Sequence, residues 1–239
     1  MATTMTLGEL RTAARQRADM VNSQFVSDVE LNSYINQSYF ELYDLLIQKY
    51  GDNYFVAPPY QFVTDGQNNF FNLPADFYKL LGVDLALGST LDSFVTIRPF
   101  NFADRNRYAV PNFQSFYGVT NLRYRLNANK LWLTPIPGAN QTIQMWYVPR
   151  LTTLALDSDT CDGISGWTEY IIIDAAIKML QKEESDVSVL MAQKAAMIER
   201  IKNAAENRDA ANPATIADSQ YTDFWWPTGS GSGNGSGAF

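Results

Sequence analysis

Phe25-Val26-Ser27-Asp28-Val29-Glu30-Leu31-Asn32, running on to Tyr50-Gly51-Asp52, is the stretch that decides the fold. Ser27 and Glu30 stand at capping-box spacing, where a hydroxyl and a carboxylate satisfy the first free amides of a helix. Val26 and Leu31 sit at the two ends of a hydrophobic staple, which fixes the angle of entry. Leu31, Tyr34, Ile35, Leu42, Leu45 and Leu46 then mark one apolar stripe at helical spacing. Gly51 suits the left-handed position that closes a helix. Upstream, Thr6-Leu7-Gly8-Glu9 is a second capping box, followed by Leu7, Leu10, Ala14, Arg17 and Val21 at helical spacing. The first fifty residues read as a helical hairpin.

Outward from the hairpin, residues 53–150 change character. Pro58-Pro59, Asp65-Gly66, Pro99, Pro111, Pro135 and Pro137-Gly138 punctuate short β-favouring runs. The spacing predicts strands over 54–57, 60–64, 69–73, 82–87, 92–98, 121–126, 130–134 and 141–148. The clearest pair is Leu122-Arg123-Tyr124-Arg125-Leu126 and Lys130-Leu131-Trp132-Leu133, which alternate apolar and polar around Asn127-Ala128-Asn129. Thr142 to Val148 is expected as the third strand of that hairpin. Pro74 to Leu81 suits one helical turn, and 100–108 another short helix. Arg123 and Arg125 share a strand face and, with Lys130, form a basic edge. It is either the solvent side of the hairpin or a surface that meets an acidic partner or passing DNA.

Helix returns after residue 163. Trp167 to Lys182 is apolar nearly all round, through Tyr170, Ile171, Ile173, Ala175, Ile177, Met179 and Leu180, as a helix covered on several sides by its own fold or by neighbours would be. Asp186 can cap a second helix with Val187, Leu190, Met191, Met197, Ile198, Ile201 and Ala205 on one stripe, and Asn212-Pro213 ends the region. Beyond it lie Tyr221-Thr222-Asp223-Phe224-Trp225-Trp226-Pro227, a Gly/Ser/Asn run of linker composition and a terminal Phe239. Burying such aromatics contributes on the order of 2–3 kcal/mol each. The cluster can therefore anchor an arm on a partner or fold back on its own subunit. The expected class is α+β: a helical domain from 1–52 and 163–212, an inserted antiparallel β module at 53–162, and an extended arm at 213–239.

Composition narrows the chemistry. The chain has 239 residues and no histidine, which removes the Ser-His and Cys-His nucleophile systems and the commonest metal ligand. The single cysteine, Cys161, stands among acids that would raise its pKa. Carboxylates remain. Asp157, Asp159 and Asp162 before Gly163 are spaced as in part of a calcium loop, but Thr168 occupies the slot of the bidentate glutamate. A solvated turn is the simpler reading. Trp132, Trp146 and Tyr147 could be sugar platforms beside a carboxylate pair, yet their strand spacing is equally that of a packed sheet face. No cofactor is called for. Charged residues make up 18%, below the roughly 25% of an ordinary soluble chain, while aromatics reach 13%, which fits a surface partly covered by neighbours. Net charge is −7, so no concentrated basic surface grips DNA through its phosphates. No segment reads as a signal peptide, and none approaches the roughly 20 apolar residues of a membrane span, so synthesis in the cytoplasm is expected.

Three stretches carry a family likeness: Leu7-Gly8-Glu9-Leu10 through Tyr50-Gly51-Asp52; Asn72-Leu73-Pro74-Ala75-Asp76-Phe77 with Leu80-Leu81-Gly82-Val83; and Tyr124-Arg125-Leu126 through Leu131-Trp132-Leu133-Thr134-Pro135 and Tyr147-Val148-Pro149 to Trp167-Thr168-Glu169-Tyr170. Their order resembles the head-to-tail adaptor proteins of short-tailed bacteriophages, also described as tail tubular protein A-like or head completion proteins. The resemblance implies a non-catalytic virion protein at the head–tail junction. It further implies a twelve-membered ring bound to the portal and to tail or nozzle proteins, with double-stranded DNA passing without specific binding and no membrane. Trp167, Tyr170 and Ile171 would lie between subunits, and Tyr221, Phe224, Trp225, Trp226 and Phe239 would reach the portal or a neighbour. Another tail or capsid component is the second reading, and a cell-wall hydrolase a distant third.

Overall fold

The computed structural model describes residues 5–50, 57–87, 93–108, 122–161 and 166–206. The chain divides into two compact units, Met1–Arg208 and Asp209–Phe239, and the second lies outside the described residues. The first is α+β, with a helical pair, a β module and a second helical pair in chain order.

Helix α1 (Leu7–Arg17) starts where its capping box is complete: the Glu9 amide donates to Thr6 Oγ1 at 3.2 Å, and the Thr6 amide to Glu9 Oε2 at 2.8 Å. Helix α2 (Asp28–Tyr50) starts on half a box. The Glu30 amide reaches Ser27 Oγ at 3.3 Å, but the Glu30 carboxylate is engaged by Lys182 Nζ and Tyr34 Oη, each at 2.7 Å. Val26 is fully buried, as its place in the staple requires.

Helix α4 (Thr168–Lys182) runs through the middle of the bundle, packed on α1, α2 and α5 (Ser188–Glu206). Its Ile171, Ala175, Ala176 and Met179 share a core with Leu7, Leu10, Leu31, Ile35, Leu42 and Leu46. The segment leading into α4 joins the same core through Leu154 and Cys161. Asn36 holds this segment in place: its amide nitrogen donates to Leu154 O at 2.9 Å, and the Leu154 amide donates to Asn36 Oδ1 at 2.8 Å. Asn36→Ala strands two buried backbone groups, so a loss of about 2–3 kcal/mol is expected in chemical denaturation. A loss below about 0.5 kcal/mol would mean that other groups satisfy Leu154.

The β module is one seven-stranded sheet, ordered β1 (Tyr60–Asp65), β7 (Ala139–Pro149), β3 (Phe77–Ala86), β4 (Phe94–Pro99), β5 (Arg123–Asn127), β6 (Lys130–Thr134), β2 (Phe70–Asn72). All pairings are antiparallel except β4 with β5. The outer strands β1 and β2 still meet, because the Phe62 and Phe71 rings stack at 4.6 Å. The sheet therefore curls around a core of Val83, Ile97, Leu131, Leu133, Ile143 and Met145.

Two sequence expectations are corrected here. The helical turn at 74–81 is instead a turn at Pro74–Asp76 that opens β3. One isolated helical turn has few internal hydrogen bonds, whereas pairing with β7 gives this backbone a ladder from Phe77 to Leu85. Nor is β7 the third strand of the β5–β6 hairpin; it lies between β1 and β3. Ile143, Gln144 and Met145 are buried in succession, the mark of a strand covered on both faces. The short helix expected within 100–108 forms as a 3₁₀ turn, Phe102–Asp104, continuing into α3 (Arg105–Tyr108). Residues 54–56, 92 and 121 of the predicted strands lie outside the described residues.

The module rests on α2. Tyr43 and Ile47 pack with Val148, Leu81 and Leu151, the Tyr43 hydroxyl donates to the Pro149 carbonyl, and the Tyr78 hydroxyl donates to Asp44 at 2.6 Å. Burial pushes the Tyr43 hydroxyl up to about 12, so it stays a donor throughout the physiological range.

Candidate functional site

The hairpin β5–β6 forms as the alternation of its side chains requires, with Arg123 opposite Thr134, Arg125 opposite Trp132 and Asn127 opposite Lys130. Leu131 and Leu133 point inward and are buried, which turns Trp132 and the two arginines to the outer face. The arginines are half-buried against rings: the Arg123 guanidinium lies 5.5 Å from the Tyr108 ring centre, and that of Arg125 lies 5.5 Å from Phe102. Lys130 is exposed near the turn, where Ala128 has φ 50°. Three further cations of this region, Arg98, Arg105 and Arg107, come from other segments and were not visible as part of the edge in sequence. Only the fold unites them.

Trp167, Tyr170 and Ile171 lie inside the bundle core of their own chain, at 9%, 3% and 0% exposure. Of the two covers that the all-round apolar pattern of α4 left open, its own fold supplies the one seen here. Three helices and the segment at 150–161 cover it. The aromatic residues Tyr221, Phe224, Trp225, Trp226 and Phe239 lie outside the described residues.

The acidic loop is engaged by the protein itself. Asp157 pairs with Arg11 at 2.5 Å, and Asp159 accepts from the Ala155 and Leu156 amides at 2.7 and 2.8 Å. Those bonds, led by that from Leu156, hold the Asp159 carboxyl below its ordinary range. Asp162 lies outside the described residues, and among the described residues no group of three or more His, Cys, Asp or Glu is placed to hold a metal ion. Cys161 is 2% exposed. The aromatic trio is packed: Trp132 contacts Phe70 and Phe100, Trp146 donates to Asp84 at 2.8 Å, and Tyr147 stacks on Phe77. A cleft of about 570 Å³ lined by Tyr39, Tyr43 and residues 149–154 and 158–160 has, among the described residues, Asp159 as its one carboxylate, where acid–base hydrolysis needs a pair.

Sequence reasoning missed a charged cluster inside the bundle. Asp174, in the apolar run of α4, accepts from Ser38 Oγ at 2.6 Å and from Lys194 Nζ at 2.6 Å, and pairs with Lys178 at 2.8 Å. Glu41 receives both lysines at 3.3 and 3.1 Å. The cluster ties α2, α4 and α5 together. A lone acid four residues before a lysine in an apolar helix was its only trace in the sequence.

Among the described residues these surfaces present cations and rings suited to contact, and the comparison with known families bears on what they serve. The model of the SU10 adaptor protein family matches residues 5–217. The chain belongs to this family. It is a structural head-to-tail adaptor of bacteriophages, and not an enzyme. Comparison with curated proteins gives no match. The match spans the bundle and the β module of the adaptor alike, so both are parts of one family architecture. Among its described residues, no helix is long and apolar enough to cross a membrane.

Proposed function

We propose that twelve copies of the adaptor close into a ring at the head–tail junction of the virion, joining the portal to tail or nozzle proteins and lining the DNA exit channel. The family match over residues 5–217 carries this reading. The boundaries that go with it are a helical domain at 1–52 and 163–212, a β module at 53–162 and an arm at 213–239. The arm's Tyr221, Phe224, Trp225, Trp226 and Phe239 are proposed to anchor on the portal or a neighbouring copy. Trp167, Tyr170 and Ile171, buried in their own chain, then act at a subunit boundary only by supporting the bundle surface from beneath. That surface includes the outer side of α5, where Val189 and Met191 are 66% and 53% exposed. A net charge of −7 keeps a passing duplex from adhering.

The test is native mass measurement and electron microscopy of the full chain, alone and mixed with portal protein. The expected product is a closed ring on the portal, and removal of 213–239 should leave a folded subunit that joins the portal poorly. A chain that stays single beside both portal and tail proteins overturns the ring. A truncated chain that assembles normally overturns the role of the arm.

A further inference from the structure

Six cations collect on one outer side of the β module: Arg98 on β4, Arg123 and Arg125 on β5, Lys130 on β6, and Arg105 and Arg107 on α3. The register sets Arg98, Arg123, Arg125 and Lys130 on one face, since Arg98 stands opposite Arg123, Arg125 opposite Trp132, which is itself opposite Phe70, and Lys130 lies two residues before Trp132. The ring contacts of Arg123 with Tyr108 and of Arg125 with Phe102 bring the segment that carries Arg105 and Arg107 to it. Rings lie among the charges. Phe102 is 52% exposed and carries two guanidiniums, those of Arg105 at 4.6 Å and Arg125 at 5.5 Å, while Phe70 is 41% exposed. At the centre, the Trp132 indole N–H is buried and has no hydrogen-bond partner among the described residues. A shallow cleft of about 420 Å³, lined by Phe70, Asn127, Ala128, Asn129 and Lys130, opens at the end of the face.

Charge is handled differently in the two halves of the molecule. In the bundle, Arg11, Arg15, Arg17, Lys178, Lys182, Lys194 and Lys202 each pair with a carboxylate. On the β face, none of the six cations has an ion pair among the described residues. Asp84, two strands away from β5, is held by Trp146, and Asp104 precedes Arg105 in the chain. Leaving six cations without an ion pair among the described residues, three of them (Arg105, Arg123 and Arg125) stacked on rings, does little for the fold, because exposed charges contribute little to stability even when paired. It does prepare a surface. Guanidiniums already held over rings lose little freedom on forming bidentate bonds to carboxylates, and Arg, Trp, Tyr and Phe are the residues that dominate protein–protein hot spots.

We propose that this face docks an acidic segment of a different virion protein, with Arg123, Arg125, Arg98 and Lys130 taking its carboxylates and Phe70 and Phe102 covering its apolar atoms. The inference rests on the ring reading above. Rotation about a ring axis sets each β module beside the same module of the next copy. That module carries the same positive face, so two such faces do not neutralise each other, and the complementary charge is assigned to another protein. Among the described residues the bundle meets the module through Val148 on β7 and Leu81 on β3, and β5, β6 and β2 take no part in that cluster. A DNA duplex is disfavoured by the charge of the chain as a whole.

The experiment is complementation of virions lacking this protein by full-length R123E/R125E. Because those arginines are half-buried, R98E/K130E is run as a second variant at two exposed positions, and circular dichroism checks the fold of each. Poly-L-glutamate and a DNA duplex serve as probes of the purified proteins at physiological salt. The expected result is that both variants fold and seat on the portal, while tail attachment and poly-L-glutamate binding each fall at least tenfold. Suppressors should change acids to bases in a different virion protein. Normal tail attachment by both variants overturns the inference, as do suppressors confined to this chain's own acids, or a duplex bound more tightly than poly-L-glutamate through these residues. Failure of the wild-type chain to complement would instead sink the ring reading.

Discussion

Ile171→Ala lowers the stability of the isolated chain by about 3 kcal/mol, in the middle of the range for deleting a buried isoleucine side chain. The loss is the same at every protein concentration. Ile171 is fully buried in a core shared with Leu10, Leu31 and Ile35, built from a single chain. The methyl groups removed have no neighbouring copy to lose contact with, and the cavity they leave is lined by rigid helices that relax only in part. For the described unit this corresponds to a fall of about 6–12 °C in the thermal midpoint. A residue buried between subunits behaves differently, because its contribution grows with protein concentration through mass action. Thermal melts of wild type and variant over a hundredfold range of concentration separate the two. A deficit that vanishes in the dilute monomer would return Ile171 to a subunit boundary.

That experiment bears on a step at which the sequence left two answers open. A helix that is apolar all round states that it is covered, but not by what. In α4 the cover is α1, α2, α5 and the segment at 150–161, and no pattern within 167–182 could distinguish these from a neighbour. The helices themselves were legible because caps and stripes are local: Thr6 with Glu9, and Ser27 with the Glu30 amide, form as their spacing requires. Most strand positions were legible for the same reason, through alternation and punctuation, but at 77–81 β3 forms where a helical turn was expected. Sheet order was not. The choice of β1 and β3 as partners of β7 depends on contacts between side chains far apart in sequence, Ile143 with Val83 and Leu85 among them. Periodicity within one strand contains no record of such a choice. The basic face divides along the same line. Arg123 and Arg125 announce themselves by alternating on one strand, whereas Arg98 joins them only when β4 lies beside β5, and the segment carrying Arg105 and Arg107 only when Phe102 and Tyr108 meet the two arginines of β5. The adaptor function was legible through packing and turn residues spread over nearly the whole chain, and not through any reactive group.

Asp174→Asn lowers stability near neutral pH by about 3 kcal/mol and flattens its dependence on acid. Removing one partner of a buried pair costs roughly 3–5 kcal/mol. The lower figure applies because the Lys178 and Lys194 side chains keep 19% and 24% of their exposure, while that of Asp174 keeps 4%. Burial pushes the Asp174 carboxyl up, but hydrogen bonds from Lys178, Lys194 and Ser38 together outweigh it, and the group titrates below its ordinary value. A carboxyl depressed in the folded state contributes fully above its unfolded pKa, about 3.9, and that contribution is lost as pH falls through the folded value. Lys194 is raised, so its share is complete below the ordinary lysine value and is lost only as pH rises through the higher folded one. The cluster is therefore intact from weakly acidic to alkaline conditions and fails on the acid side first. Urea midpoints measured between about pH 6 and pH 3 should fall more steeply for wild type than for the variant. Helix α5 registers the loss earliest. Its apolar hold is Ile201, fully buried, with Leu190, Met197, Ile198 and Ala204 half-buried, and Lys194 is its polar link to Asp174. Amide exchange should therefore rise across 188–206 in the variant before it rises in α1 or α2. Parallel pH profiles, or equal exchange in all helices, would show that Asp174 contributes nothing specific to the hold on α5.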